Sequence, residues 1–125
     1  MMKNAINWFE IPVNDFERAQ KFYSALFNTE VKEMEMPEGR YGVLPYDQEG
    51  GGTGGGIIQH PNNGKPTHDG PTIYLNGGDD LSDPLSRVEG AGGTVIMPKT
   101  PIGPNGFMAQ FIDTEGNRLA LHSDK

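Results

Sequence analysis

The order of secondary structure signals repeats within the 125 residues of this chain. An alternating segment, 5–13, ends at Asn14 and Asp15 and runs into apolar residues at helical spacing. A second alternating segment, 72–76, leads to Asp79 and another helical pattern. Each helix precedes three extended segments, so the order predicts two βαβββ units of roughly 60 residues. Because 125 residues form one domain, the two units must share a fold.

The first unit is predicted over about residues 1–64. Asn14 and Glu17 fit a capping box, in which the Asn side chain accepts from the backbone and the Glu reaches back. The apolar face of the predicted helix consists of Ala19, Phe22, Tyr23, Leu26 and Phe27. The three strands that follow are expected at 30–36, 40–46 and 54–60.

The second unit is predicted over about residues 68–125. Its helix presents Leu81, Leu85 and Val88 on one face and ends at glycines 90, 92 and 93. Pro84 stands early in this helix and can move its start to Asp83. Three strands are expected at 94–97, 107–112 and 118–122. The predicted fold class is therefore α+β, a single domain of residues 1–125 with a curved mixed sheet and a concave ligand cavity.

Composition excludes several kinds of site. The chain has no cysteine, which removes disulfides, zinc thiolates and thiol nucleophiles. The formal charge is -7, with scattered acidic residues, which argues against nucleic acid and anionic membranes as partners. The N-terminal segment is too short and too polar for a signal core or a membrane span. We therefore expect a cytoplasmic protein whose partner is a small molecule or a second copy.

A glycine-rich run, Gly50–Gly56, contains a formal GxGxxG match. A dinucleotide site would need a helix directly after it, with amides aimed at the phosphate. No helical pattern follows, so the run is interpreted as a flexible hairpin loop.

Side chains alternate along a strand, so each strand next to a helix has one face that packs and one that does not. Phe9, Ile11 and Val13 form the packing face of the first strand, as do Ile73 with Leu75 and Leu119 with Leu121 in two later strands. The opposite faces carry Ile6, Trp8 and Glu10, then Thr72, Tyr74 and Asn76, then Arg118, Ala120 and His122. If the two sheets join, these opposite faces line one cavity.

Each of these residues also has a structural interpretation. Trp8 and Tyr74 can serve as packing groups on a sheet face. Glu10 and His122 need partners if buried, but they can equally lie at a solvated rim. His60 and His68 stand in loops rich in Asn, Pro and Gly, where we expect them to be solvated.

The sequence also resembles a known family. The residues that carry the resemblance are Trp8–Pro12, Asp15–Ala19 and Phe22–Tyr23 in the first half, and Ile73–Asn76, Asp79–Leu81, Gly92–Gly93 and Phe111–Asn117 in the second. They resemble the glyoxalase/bleomycin-resistance/dioxygenase (vicinal oxygen chelate) superfamily, in particular a subgroup described as related to lactoylglutathione lyase. The resemblance implies the βαβββ fold strongly but the activity weakly, because this scaffold hosts isomerases, lyases, dioxygenases and metal-free antibiotic binders.

In metal-using members of this family, ligands come from the first, fourth, fifth and eighth strands. By resemblance these positions fall on Trp8, within 55–59, on Thr72 and on Ala120. An indole, a neutral hydroxyl and a methyl group are poor or impossible ligands, and Gln59 is the only donor in the fourth-strand segment. We therefore predict no metal and no cofactor.

The sequence thus favours metal-independent binding, and possible turnover, of a small and partly aromatic molecule. The predicted ligand-binding residues are Trp8, Glu10, Thr72, Tyr74 and His122, and Glu10 and His122 are the catalytic candidates. One alternative is an enzyme of the lactoylglutathione lyase type, or another enzyme of the superfamily, with a displaced metal on Glu10 and His122. A second is an interaction module without a small-molecule function. The resemblance and the short strands also predict a homodimer.

Overall fold

The computed structural model of the protein describes residues 3–125. Its first sheet contains β1 (Glu10–Pro12), β2 (Lys32–Met34), β3 (Arg40–Val43) and β4 (Gly56–Gln59), and its first helix is α1 (Phe16–Phe27). Its second sheet contains β5 (Ile73–Asn76), β6 (Thr94–Pro101), β7 (Phe107–Ile112) and β8 (Arg118–Ser123), with the helix α2 (Ser82–Leu85) and a 3-10 turn at Gly103–Asn105. This order confirms the predicted α+β class and the two βαβββ units.

The two sheets have the same topology and are separate. The order is β1-β4-β3-β2 in the first sheet and β5-β8-β7-β6 in the second. In each, the strand before the helix pairs in parallel with the last strand of its unit, and the other pairings are antiparallel. β1 and β5 therefore each lie at the edge of a sheet, and one continuous curved sheet does not form within the described chain.

The start of α1 differs from the predicted capping box. Asp15, not Asn14, is the N-cap, and its carboxylate accepts from the amide of Arg18 at 3.1 Å. Glu17 pairs with Arg40 instead of reaching back to the cap. The amide of Asn14 is occupied elsewhere, since it donates to Glu115 at 2.9 Å. The amide that a capping box on Asn14 would leave for Glu17 is therefore taken by Glu115 of the second unit.

The second helix is shorter than predicted. It spans only Ser82–Leu85, beginning one residue before Asp83, and hydrogen-bonded turns continue the chain to residue 93. Pro84 lies inside this single turn and is buried. The predicted apolar face is present, because Leu81 and Val88 are fully buried and Leu85 is partly buried.

One hydrophobic core serves both units. It contains Ile11 and Ile57 from the first sheet and Leu119 and Leu121 from the second. Phe22 of α1 links the two, with its ring centroid 5.9 Å from that of Phe111 in the second sheet. The helix-covered face of each sheet therefore turns toward the other unit, and the opposite face of each turns outward. We call these opposite faces the outer faces.

The glycine run is not simply a flexible loop. Gly54, Gly55 and Gly56 are buried, and Gly56 belongs to β4. A Cβ atom at these positions would approach the rings of Tyr46, Phe9 and Tyr41 to 2.5, 2.4 and 2.5 Å. Each glycine therefore provides the space in which an aromatic ring lies against the backbone. Only the first part of the run, residues 50–53, is exposed.

The turn between β7 and β8 fastens the second unit to the first. The carboxylate of Glu115 accepts from the amides of Asn14 and Asp15, at 2.9 and 2.7 Å. It also receives two hydrogen bonds from the guanidinium of Arg18, at 2.6 and 3.0 Å. Burial raises the pKa of Glu115, but these donors outweigh burial and the net effect lowers the pKa. The carboxylate is therefore charged while it holds the start of α1.

Candidate functional site

The residues predicted to pack are buried in β1, β5 and β8, where Ile11, Leu75 and Leu121 are at most 4% exposed. On the opposite side, Trp8 just before β1 is 36% exposed and Tyr74 of β5 is 54% exposed, whereas Ala120 of β8 is buried as well. These two aromatic side chains therefore do not fill the core.

Trp8 stands in a corner built from three aromatic side chains. Its indole nitrogen donates to the hydroxyl of Tyr41 at 2.7 Å. The ring of Tyr46 packs edge-on against it, with centroids 5.7 Å apart and planes at 82°. We call Trp8, Tyr41 and Tyr46 the aromatic corner. It opens onto a cleft of about 580 Å³, whose other lining residues are Met34, Glu35, Met36, Pro37, Val43 and Gln48.

Glu10 lies beside this corner on the same outer face. It is exposed, and its carboxylate accepts from the side-chain amide of Asn63 at 3.3 Å. Burial raises the pKa of Tyr41, the hydrogen bond from Trp8 lowers it, and the charge of Glu10 raises it, so the net pKa is raised. Tyr41 is therefore a neutral phenol at neutral pH, able to accept from Trp8.

The remaining candidates lie on the second sheet. Tyr74 and His122 line one cleft of about 470 Å³. Thr72 and Tyr74 line another of about 540 Å³, which is mostly apolar and reaches Ile6 and Phe9 of the first unit.

His122 has one ring nitrogen engaged by the backbone. Its Nε2 lies 2.7 Å from the carbonyl oxygen of Asn105. Because a carbonyl can only accept, Nε2 carries a proton. In the neutral ring Nδ1 is then the acceptor, and it is the nitrogen left for a ligand.

The five predicted site residues thus form two groups within one chain. Glu10 lies on β1 of the first sheet, with Trp8 just before that strand, and Tyr74 and His122 lie on β5 and β8 of the second sheet, with Thr72 just before β5. The cleft that Thr72 and Tyr74 line reaches Ile6 and Phe9 of the first unit, whereas Trp8 lines a different cleft. We call the group of Trp8 and Glu10 and the group of Thr72, Tyr74 and His122 the two half-sites.

The residues do not fit the metal site that the fold family implies. Trp8 and Thr72 face outward without a carboxylate or imidazole at either position, and Ala120 is buried with only a methyl group to offer. Gln59 is also committed, because its amide oxygen accepts from the backbone amide of Phe16 at 2.8 Å. Within residues 3–125, no three His, Cys, Asp or Glu side chains cluster closely enough to bind a metal ion.

Sequence reasoning overlooked Tyr41 and Tyr46 as partners of Trp8. Tyr41 could have been assigned to the outer face by alternation in β3, since Gly42 beside it packs against α1. Tyr46 lies beyond the end of β3, so no strand periodicity applies to it. Its position depends on the contact with Gly54, which only the tertiary structure shows.

Solved structures share this architecture. Glyoxalase I from Zea mays is 19% identical with a TM-score of 0.71, and the match covers 94% of this chain but 45% of the maize chain. The chain thus spans less than half the length of that enzyme. TnmS3, an antibiotic binding protein from Streptomyces sp. CB03234, is 23% identical with a TM-score of 0.67, covering 100% of this chain and 99% of that one.

A third solved structure with this fold is a glyoxalase/bleomycin resistance protein from Albidiferax ferrireducens T118. It is 18% identical with a TM-score of 0.70, and the match covers 94% of this chain and 97% of that one.

No helix between residues 3 and 125 has the length and apolar character needed to cross a membrane.

The sequence comparisons identify the family. No functionally curated protein matches the sequence. Residues 5–121 match the family model for the Glyoxalase/Bleomycin resistance protein/Dioxygenase superfamily, almost the whole chain. The chain belongs to the Glyoxalase/Bleomycin resistance protein/Dioxygenase superfamily.

Proposed function

We propose that this protein binds a small, partly aromatic molecule without a metal ion. The observation that carries the proposal is the state of Trp8, a residue that is 36% exposed beside an open cleft and whose indole is fixed by a hydrogen bond to Tyr41. A flat apolar surface held in one orientation binds an aromatic ligand with little loss of side-chain entropy. We take residues 1–125 to act as one domain.

The complete site is proposed to lie between two copies. Each chain presents Trp8 and Glu10 on one outer face and Tyr74 and His122 on the other. Glu10 and Tyr74 lie on β1 and β5, and Trp8 lies just before β1; both strands are sheet edges and can meet across a two-fold axis. A dimer would then place the first half-site of one copy against the second half-site of its partner, twice per dimer.

The roles of the residues follow from their chemistry. Trp8 and Tyr74 would stack on the ligand from opposite sides. Glu10 would accept hydrogen bonds or carry the countercharge, and Nδ1 of His122 would accept a proton or a hydrogen bond. Thr72 would add a hydroxyl at the edge of the site. The fold shared with TnmS3, an antibiotic binding protein, supports ligand binding as the function.

An enzymatic function is the alternative to metal-independent binding. A lactoylglutathione lyase type of reaction, or another reaction of the superfamily, would need a metal displaced onto Glu10 and His122, with ligands from both copies. The third possibility, an interaction module, would leave the clefts without a small molecule. Metal content and ligand response separate the three.

The proposal is tested with the only tryptophan as reporter. Fluorescence of Trp8 is followed while neutral and cationic aromatic compounds are titrated, with EDTA and separately with added zinc or nickel. We expect saturable changes that EDTA does not abolish. If no compound shifts the emission, or if a shift requires metal, the proposal is wrong.

Light scattering tests the dimer, and matched variants test the second half-site. We expect a dimer mass at micromolar concentration and weaker binding in His122→Ala. His68→Ala serves as the control, because His68 is exposed and pairs only weakly with Asp69, at 3.7 Å. A monomer mass, or equal effects of the two substitutions, would contradict a site shared between copies.

A further inference from the structure

We propose that the aromatic corner of Trp8, Tyr41 and Tyr46 is a cage for a methylated ammonium group. This inference rests on the proposed function, and it names the part of the ligand that the first half-site would recognise. It adds Tyr41, Tyr46 and Met34 to the residues that the resemblance singled out. The ligand class is an organic cation that carries a trimethylammonium or similarly alkylated nitrogen.

The arrangement of the aromatic rings favours a cation. Trp8 and Tyr46 stand nearly perpendicular, at 82°, and both line the cleft. Two aromatic walls at a right angle can border one central group on two sides, and a wall attracts a cation with its face, since the ring edge is positive. The faces of such rings carry negative electrostatic potential and attract a cation within about 6 Å of the ring centroid.

The three rings of the aromatic corner are held in fixed positions. Trp8 cannot rotate freely, because its indole nitrogen donates to Tyr41 at 2.7 Å. Tyr46 lies directly on Gly54, where a Cβ would come within 2.5 Å of the ring. Tyr41 similarly lies on Gly56 at the base of the corner. The walls are therefore preorganised, which reduces the entropy lost on binding.

The charge of the residues in and beside the cleft also favours a cation. Glu35 is one of the residues that line the cleft, and Glu10 lies beside Tyr41. The residues that line this cleft include no lysine, arginine or histidine. The remaining walls are the flexible, polarisable side chains of Met34 and Met36, together with Pro37. An acidic, aromatic and sulfur-rich cleft complements an organic cation and not an anion.

The apolar walls also select the type of cation. A primary ammonium has three N–H groups that need acceptors, and it loses strong hydration when it enters an apolar corner. A trimethylammonium spreads its charge over methyl groups that need no hydrogen bonds and pack against rings. The corner therefore favours alkylated nitrogen over a free amine.

Choline and its uncharged carbon isostere, 3,3-dimethylbutan-1-ol, are the probes. The two have the same shape and differ in the charge at the central atom. Each compound is titrated to about 10 mM, so that dissociation constants near 1 mM can be measured. Both the emission of Trp8 and NMR chemical shifts are recorded. We expect saturable binding of choline, weaker binding of ethanolamine and no saturation with the isostere.

Variants test the walls. Tyr46→Leu keeps an apolar side chain but removes the ring, and we expect choline affinity to fall about tenfold. Tyr46→Phe keeps the ring and should retain the affinity. Glu35→Gln should weaken choline binding, whereas Glu30→Gln, an exposed carboxylate outside the cleft, should not. Thermal unfolding shows whether each variant is folded. If Tyr46→Leu does not fold, the comparison of Glu35→Gln with Glu30→Gln still tests the cage.

The outcomes distinguish this inference from the proposed function. If neutral aromatic compounds bind but choline behaves like its isostere, the cage is wrong and the proposed function stands. If choline binds equally well to wild type, Tyr46→Leu and Glu35→Gln, the site lies elsewhere and the cage is wrong. If no aromatic or cationic compound binds, both proposals fail.

Discussion

The hydroxyl of Tyr23 donates to the carboxylate of Asp113 at 2.7 Å, across 90 positions of sequence and between the two units. Tyr23 is fully buried, and burial, followed by the nearby charge of Asp113, raises its pKa well above the ordinary value. Asp113 also accepts from the amides of Glu115 and Asn117, which fixes the closing turn of the second unit. One phenol on α1 thus holds the turn that positions the second sheet.

Replacing Tyr23 by Phe is expected to destabilise the fold without changing its shape. The substitution removes one donor from a buried carboxylate, which costs about 1–3 kcal/mol of unfolding free energy. Urea denaturation measures this cost. Tyr74→Phe is the control, because Tyr74 is 54% exposed and its hydroxyl can bond to water. Equal stability of wild type and Tyr23→Phe would contradict the role assigned to this bond.

Glu115→Gln is expected to lower the unfolding free energy by about 2 kcal/mol at neutral pH, since it leaves a buried site without its charged acceptor. The figure is moderate because the side chain of Arg18 is 50% exposed. The folded-state pKa of Glu115 is lowered, so its contribution is complete above the unfolded value of about 4.3 and disappears as the pH falls through the folded value.

The measurement for this prediction is denaturation of wild type and Glu115→Gln from neutral to acidic pH. The stability difference between them should shrink below about pH 4. Glu30→Gln, at an exposed position, should show little difference at any pH. A difference that grows as the pH falls would reverse the sign and refute the assignment.

Gly55→Ala is expected to destabilise the protein by about 1–3 kcal/mol through overpacking. The added methyl would lie within 2.5 Å of three atoms of the Phe9 ring. Gly64→Ala is the matched control, since nothing lies within 4 Å of its added Cβ. Thermal unfolding compares the two, and similar melting temperatures would show that the glycine run is not packed as described.

Trp8→Ala is expected to cost less than about 3 kcal/mol, because truncation beside an open cleft enlarges an existing space. Phe22→Ala is the comparison, since this side chain is 1% exposed and its removal should cost about 3–5 kcal/mol. Chemical denaturation gives both values. A loss for Trp8→Ala in the range of Phe22→Ala would assign Trp8 to the core and remove the main support for the site.

The purified protein is expected to carry no stoichiometric divalent metal, since Trp8, Thr72 and Ala120 stand at three ligand positions of the family. Elemental analysis measures zinc, nickel and iron per chain. About one metal ion per chain would overturn the prediction. If metal were found, its loss in both Glu10→Gln and His122→Ala would support the displaced site and the enzymatic alternative.

The sequence by itself determined the local features of this protein. Helical spacing identified α1, and strand alternation separated Ile11 from Trp8 and Leu75 from Tyr74, because these periods follow from backbone geometry alone. The resemblance to the family also predicts that Trp8, Thr72 and Ala120 stand where other members have metal ligands. These conclusions depend only on residue type and spacing, so no tertiary information was needed for them.

The tertiary structure decided what depends on contacts between distant residues. Asp15, not Asn14, caps α1, and Glu115 of the second unit accepts from the amides of both residues. Tyr46 reaches Trp8 because Gly54 leaves room for its ring. Trp8 lines one cleft whereas Tyr74 and His122 line another, so the predicted site is divided into two groups within one chain. Packing between units sets these outcomes, and packing has no local period from which a sequence pattern could predict it.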